Sequence, residues 1–238
     1  MATAVLIGLG GLGCPAAVTL AEAGVDLRLV DDDVVELSNL QRQVLYGTSD
    51  VGRPKVEVAR ERLAGAGLEV HVDTARARLT ADACDDLLGG ANVVVDATDD
   101  PRARFLINDW ALAHGVPAVL GGITRYDGLV LGVGAGGGPC FRCLFEVPPA
   151  DDEVQTCVAA GVIGALAGLV GHLEAERALG LLTGDERRHT GYLTTVDGRR
   201  GRVRHVHLPA DPECPACRRR PSRRAAPPRP STEAAASA

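Results

Sequence analysis

Two cations and a carboxylate, Arg42, Lys55 and Asp99, follow the glycine run Gly8-Leu9-Gly10-Gly11-Leu12-Gly13. Without a Cβ, Gly8 and Gly10 permit a tight turn and a close approach of backbone to phosphate, and Gly13 lets the next helix pack on the preceding strand. The N-terminus of that helix adds free N–H groups and a positive dipole, which together hold an anion. Asp31, eighteen residues beyond Gly13, ends the next apolar stretch, where a carboxylate can accept hydrogen bonds from ribose hydroxyls. The glycines alone suit NAD, FAD or ATP. A dinucleotide has only two bridging phosphates to neutralise, so two fixed cations after the second strand favour a triphosphate and make ATP the expected ligand.

A second cluster is Asp96-Ala97-Thr98-Asp99-Asp100, at the carboxyl end of an expected central strand, where open α/β sheets hold ligands. Asp99 can hold Mg²⁺, a hard cation that takes carboxylate and phosphate oxygens together. The alternative is that Asp99 or Asp100 caps a helix beginning at Pro101, which does not exclude the metal. Cys140-Phe141-Arg142-Cys143 and Cys214-Pro215-Ala216-Cys217 are two CxxC pairs. They complete a tetrahedral, closed S₄ site for structural Zn²⁺, although 70 residues separate the pairs, well outside a zinc-finger spacing. Cys157 is expected at the start of a helix, where the dipole favours a nucleophilic thiolate; a buried small apolar residue is the equal alternative. Cys14 and Cys84 read as packing residues, and no histidine has a partner at a telling spacing.

Positioning these groups requires alternating strands and helices. Strands are expected at 4–7, before Asp31, at 69–75, 92–98 and 117–123, with helices after Gly13, after Pro54, at 80–88 capped by Thr80, and at 101–114. This is a Rossmann-like, mostly parallel α/β sheet. The short turn 126–128 leaves no room for a crossover helix, so 129–133 is expected to run antiparallel, and 192–196 with 203–208 reads as a hairpin. Residues 147–155 read as a mobile loop and 157–182 as a long helix. In that helix Gly161, Gly164, Gly168 and Gly171 suit either tight internal packing or a subunit interface.

The 238 residues are 46% apolar, enough for one α/β domain with a real core. The net charge is −6, but residues 218–238 hold six Arg against Glu233, leaving 1–217 at −11. Nucleic acid is therefore not expected on the body. The tail, Arg-, Pro- and Ala-rich without periodicity, is expected to be disordered. No export leader precedes the first strand, and the longest apolar run, 157–171, is short of the roughly 20 residues a bilayer requires. A cytoplasmic protein with no membrane partner is expected, its seven cysteines serving as metal ligands or thiols rather than disulfides.

Taken together, GLGGLGCP at 8–15, Asp31-Asp32-Asp33, SNLQRQ at 38–43, GRPK at 52–55, DATDD at 96–100, the CxxC pairs and TCVAAGV at 156–162 resemble the MoeB/ThiF/HesA family. These are ubiquitin-activating-enzyme-like adenylyltransferases, and the resemblance spans residues 4–217. It implies ATP with Gly10 and the neighbouring Gly8, Gly11 and Gly13 under the phosphates, and Asp31 on the ribose. Asn39, Arg42 and Lys55 would meet the phosphates and Asp99 the Mg²⁺, with Asp33 and Gln43 in the same site. It implies as substrate the C-terminal Gly-Gly of a small ubiquitin-like sulfur-carrier protein, a separate sulfur donor, a homodimer, and Arg125 near the substrate path. Cys157 aligns with a cysteine that some relatives link covalently to the carrier. Relatives usually carry an N-terminal helical arm ahead of the first strand, whereas this sequence opens on the strand, and Asp100 stands where Asn is usual. Two other functions compete: an NAD(P)-dependent oxidoreductase, which leaves Arg42, Lys55 and the cysteine pairs unexplained, and a non-catalytic binding partner on the same fold.

Overall fold

The computed structural model describes residues 1–149 and 161–217. The expectations for Cys157, for most of the 147–155 loop and for the 218–238 tail lie outside the described residues.

The chain begins with β1 (Thr3–Ile7), whose last four residues are all buried, as a strand covered on both faces must be. It continues through α1 (Gly13–Glu22), β2 (Asp26–Val30), α2 (Lys55–Gly65) and β3 (Val72–Ala75). Then come α3 (Cys84–Leu88), β4 (Val93–Asp96), α4 (Pro101–His114), β5 (Ala118–Thr124) and β6 (Asp127–Val133). The chain closes with α5 (Gly164–Leu182), α6 (Glu186–His189), β7 (Tyr192–Asp197) and β8 (Arg202–His207). One eight-stranded sheet has the order β3-β2-β1-β4-β5-β6-β7-β8. Strands β1 to β5 pair in parallel, and β6, β7 and β8 add antiparallel. The order reverses direction between β1 and β4, and at their carboxyl ends such sheets open a crevice.

Two apolar layers cover the sheet. On one face α1, α2 and α5 enclose Leu6, Leu29, Val95 and Val119. On the other α3 and α4 enclose Val5, Val30, Val94 and Leu120. Helix α4 has the bounds its sequence dictates: Asp100 caps it by accepting from Arg102 N at 2.9 Å, Pro101 takes the first turn, and Gly115 stops it at φ 65°.

Several expectations required correction. Strand β3 is four residues long, shorter than the 69–75 stretch. The 80–88 segment divides into a 3₁₀ turn and the five-residue α3, and the Thr80 side chain makes no cap. The β5–β6 turn is Arg125-Tyr126, tighter than 126–128, because Thr124 already pairs with Asp127. Helix α5 starts at Gly164 rather than 157. Its glycines serve internal packing at two of four positions. A Cβ on Gly164 would lie 2.5 Å from Gln41 O, and one on Gly171 would overlap Leu12 O, whereas Gly168 faces open space. Residue Gly161 lies outside the helix. Strand β8 is exposed along its whole length, as the edge of the sheet.

Candidate functional site

The glycine turn joins β1 to α1 under steric constraint. Gly8 adopts φ +90°, and a Cβ there would stand 2.8 Å from Ala97 O in the loop after β4. A Cβ on Gly13 would overlap the carbonyl oxygen of Gly8. The two glycines therefore bring the β1 and β4 loops together at the switch point, which positions the crevice. Asp31 clasps this turn: its Oδ2 accepts from Leu9 N at 2.6 Å and its Oδ1 from Asp33 N at 2.8 Å. Burial raises the Asp31 pKa, opposed by Lys55 and these two N–H groups. Tyr46 Oη holds the other side of the turn by donating to Leu9 O at 3.1 Å.

A cleft of about 810 Å³ opens above this turn. It brings together Gly8, Gly10, Gly11, Asp31, Asp33, Asn39, Arg42, Gln43, Lys55 and Asp99. Gly13 lies beneath the turn rather than in the lining. Lys55, at the first turn of α2, is 4% exposed, and its Nζ meets Asp33 Oδ2 at 2.7 Å. Arg42 lies across Gly11, whose Cβ would sit 3.3 Å from the Arg42 side chain, and its Nη2 donates to Asn39 Oδ1 at 2.7 Å. Asn39 in turn donates to Glu36 Oε2 at 3.1 Å. Gln43 is buried, and its Oε1 has no hydrogen-bond partner among the described residues. The two cations and the turn's N–H groups fit a polyphosphate ligand.

Asp99 and Asp100 separate into different roles. Asp100 caps α4 and pairs with Arg78 Nη2 at 3.2 Å. Asp99 is exposed in the cleft and makes no hydrogen bond or ion pair among the described residues, which fits a carboxylate available to a hard divalent cation. Beneath them Asp96, fully buried, takes Arg104 Nε at 2.9 Å. Arg104 reaches the cleft from α4, and sequence reasoning missed it. The eight-residue spacing from strand end to second helical turn was the available signal. Arg125 takes φ 40° in the β5–β6 turn and is not among the residues that line the cleft.

The four paired cysteines converge. Sγ–Sγ distances are 3.3 Å for Cys140–Cys217, 3.5 Å for Cys143–Cys217, 3.7 Å for Cys140–Cys214 and 4.0 Å for Cys140–Cys143. A tetrahedral site with Zn–S of about 2.3 Å sets sulfurs about 3.8 Å apart, so the geometry fits Zn²⁺. Burial pushes the Cys140 thiol up to about 11, and a bound cation would reverse that by favouring thiolate. Phe141 N donates to Asn108 Oδ1 at 2.8 Å, and Arg142 grips Asp109. The cluster thus ties the chain's 214–217 segment to α4. The remaining described cysteines are packing residues: Cys14 is fully buried, with its thiol pushed up to about 12 by burial, and Cys84 donates to Thr80 O.

Fold and cleft together define a doubly wound α/β protein with an anion-accepting crevice at the switch point and a tetrathiolate cluster. The chain belongs to the ThiF family, whose profile it matches over residues 1–216. It is 40% identical to a sulfur carrier protein adenylyltransferase of Thermus thermophilus, over 94% of this chain and 84% of that one. It is also 40% identical to a SAMP-activating enzyme E1 of Haloferax volcanii, over 90% and 79%. With adenylyltransferase and sulfurtransferase MOCS3 of Anopheles gambiae the identity is 37%, and the chain spans about half, 51%, of that protein. Among solved structures, E. coli MccB with MccA-N7isoASN aligns with a TM-score of 0.80 at 20% identity, covering 91% of this chain and 67% of that one. That likeness concerns the fold alone. Among the described residues no helix is long and apolar enough to cross a membrane.

Proposed function

We propose that the chain is an ATP-dependent adenylyltransferase acting on the C-terminal Gly-Gly carboxylate of a small ubiquitin-like sulfur-carrier protein. Residues 1–217 form the ThiF-type domain of this reading, working in the cytoplasm as a homodimer with sulfur supplied by a separate donor. The observation that carries it is the pair Lys55 and Arg42 set against the glycine turn, beside an uncommitted Asp99, in a chain 40% identical to a sulfur carrier protein adenylyltransferase.

The carrier's terminal carboxylate oxygen attacks the α-phosphorus of ATP. An O–Pα bond forms, the bond from Pα to the bridging oxygen breaks, and pyrophosphate leaves with the electron pair. A carboxylate is already ionised at neutral pH, so no general base is required, and among the described residues no histidine lines the cleft. The residues' task is positioning and charge stabilisation. Lys55 would exchange Asp33 for a phosphate oxygen, and Arg42 would exchange the Asn39 amide. The turn's N–H groups meet the phosphates from below, and Asp31 meets the ribose. A magnesium ion held by Asp99 would supply further neutralisation of the polyphosphate. Zinc at Cys140, Cys143, Cys214 and Cys217 would be structural, because four thiolates leave no open position.

Pyrophosphate exchange tests the reading. Purified protein with ATP, Mg²⁺ and a Gly-Gly-ending carrier should incorporate labelled pyrophosphate into ATP, and the same carrier lacking its last glycine should not. No exchange with any carrier encoded beside this chain, despite ATP binding, would favour the non-catalytic alternative.

A further inference from the structure

Arg78 lies in the loop after β3, and Asp100 in the loop after β4. In the sheet, β2 and β1 stand between those strands, so the two loops must span roughly 14 Å of sheet edge, three strand spacings, to meet. They do meet: Arg78 Nη2 donates to Asp100 Oδ2 at 3.2 Å. Both ends are anchored. Leu79, next to Arg78, is buried in the apolar cluster that holds Val30 and Ala103. Asp100 is fixed by its cap on α4, its Oδ1 accepting from Arg102 N at 2.9 Å. The cleft lining near this bridge includes Ile7, Val30, Leu79 and Ala97, an apolar surface suited to a flat heterocycle rather than to phosphate.

Both carboxylate oxygens of Asp100 are thus engaged, one by backbone and one by a guanidinium, whereas Asp99 beside it is uncommitted. The geometry points to the Arg78–Asp100 pair as a latch across the base end of the nucleotide cleft, the guanidinium plane lying on the base and Asp100 holding it there. Asp100 then belongs to base recognition and not to the metal site, although it adjoins Asp99 in sequence. A planar, delocalised cation is suited to stacking on a base in a way an ammonium is not. This inference rests on the nucleotide-binding reading above.

Isothermal titration of the full chain with ATP and with inorganic tripolyphosphate, at several Mg²⁺ concentrations, tests it. The variants are Arg78→Met, Asp100→Asn and the two combined; Asn still caps a helix, so α4 keeps its start. Each single change should weaken ATP binding about three- to fivefold. The double variant should lose no more than the larger single loss, because the two side chains act as one unit. Tripolyphosphate affinity and the Mg²⁺ concentration for half-maximal binding should not move. Additive losses, an equal loss of tripolyphosphate affinity, or ATP affinity unchanged in both single variants would each overturn the latch. A several-fold higher Mg²⁺ requirement in Asp100→Asn, with Arg78→Met silent, would overturn it and place Asp100 on the metal. A wild-type chain that binds tripolyphosphate but not ATP would remove the ATP reading along with the latch, whereas the variant outcomes above overturn the latch alone. One that binds neither would remove the nucleotide reading and the latch with it.

Discussion

Glu174→Gln should stabilise the protein, and by more as the pH rises. Glu174 sits on α5 with no exposed surface, and neither carboxyl oxygen has a hydrogen-bond partner among the described residues. It fits against β5 only because Gly121 lacks a Cβ, which would overlap Glu174 Oε1. Burial, reinforced by the nearby Asp96 charge and opposed by Arg104, raises its pKa well above the ordinary 4.5. A carboxyl whose folded pKa lies above its unfolded one contributes full stability below the unfolded value. It loses that contribution as the pH rises towards the folded value, because the unfolded chain releases the proton first. The loss is about 1.4 kcal/mol per pH unit for one proton. From pH 5 to pH 7 wild type should therefore fall behind Glu174→Gln by up to about 2.7 kcal/mol, and by roughly 5–11 °C in Tm for a domain of this size. Urea unfolding of both proteins at pH 5, 6 and 7 measures it, with common titrations such as those of the cysteine cluster cancelling in the difference. A stability difference that stays flat across this range would refute the reasoning, since it would show that Glu174 ionises in the native protein as it does in the unfolded chain.

Two further outcomes test the site directly. Lys55→Ala and Asp99→Ala should each lower carrier-dependent pyrophosphate exchange by about a hundredfold or more while leaving the circular dichroism spectrum unchanged; retention of full activity would remove those residues from the reaction. Cys143→Ser should release about one zinc ion per chain by elemental analysis and lower Tm by roughly 8–16 °C, for a loss on the order of 4 kcal/mol. Wild-type protein purified without zinc at that cluster would sink the structural assignment.

Where one local signal suffices, the sequence was legible. The bounds of α4 follow from a cap, a proline and a stopping glycine within its own residues. The antiparallel turn into β6 follows from a connection too short for a crossover. The cysteine cluster follows from paired spacing, even with 70 residues between the pairs, because thiolates on one ion need only meet in space. Where a signal depends on a partner distant in sequence, it was not. Thr80 carries a capping side chain but no long helix, since α3 has only five residues to bury. Asp31 looks like a ribose carboxylate, yet much of its capacity is spent clasping the glycine turn, which only the fold reveals. Glu174 reads as an ordinary helix-surface acid until α5 is laid over the bare backbone of Gly121. Arg104 and Arg78 enter the cleft from elements chosen for other reasons; Arg104 leaves only its eight-residue spacing from Asp96 as a trace, and Arg78 belongs to no spaced motif.

The balance of charge in the cleft makes one step of the chemistry intelligible. Its lining carries Asp31, Asp32, Asp33, Glu36, Asp99 and Asp100 close to the cations that would receive phosphate, an environment that by itself repels a polyanion. The structure answers by committing four of those acids: Asp31 to backbone N–H groups, Asp33 to Lys55, Glu36 to Asn39, Asp100 to Arg78 and the α4 cap. The pairs also hold Lys55 and Arg42 in place before any ligand arrives, so little reorganisation is required when a phosphate oxygen replaces Asp33 or the Asn39 amide. The replacement would be favourable for Arg42 because a charge-assisted bond to phosphate is roughly twice as strong as one to a neutral amide. For Lys55 one charged partner succeeds another, and Asp33, whose side chain is 68% exposed, returns to water at small cost. Asp32 and Asp99 are left with no such partner among the described residues, and a free carboxylate such as Asp99 beside incoming phosphates is unfavourable unless a divalent cation lies between them. Mg²⁺ at Asp99 would meet that need, so nucleotide affinity should depend on Mg²⁺, and that dependence should be lost together with activity in Asp99→Ala.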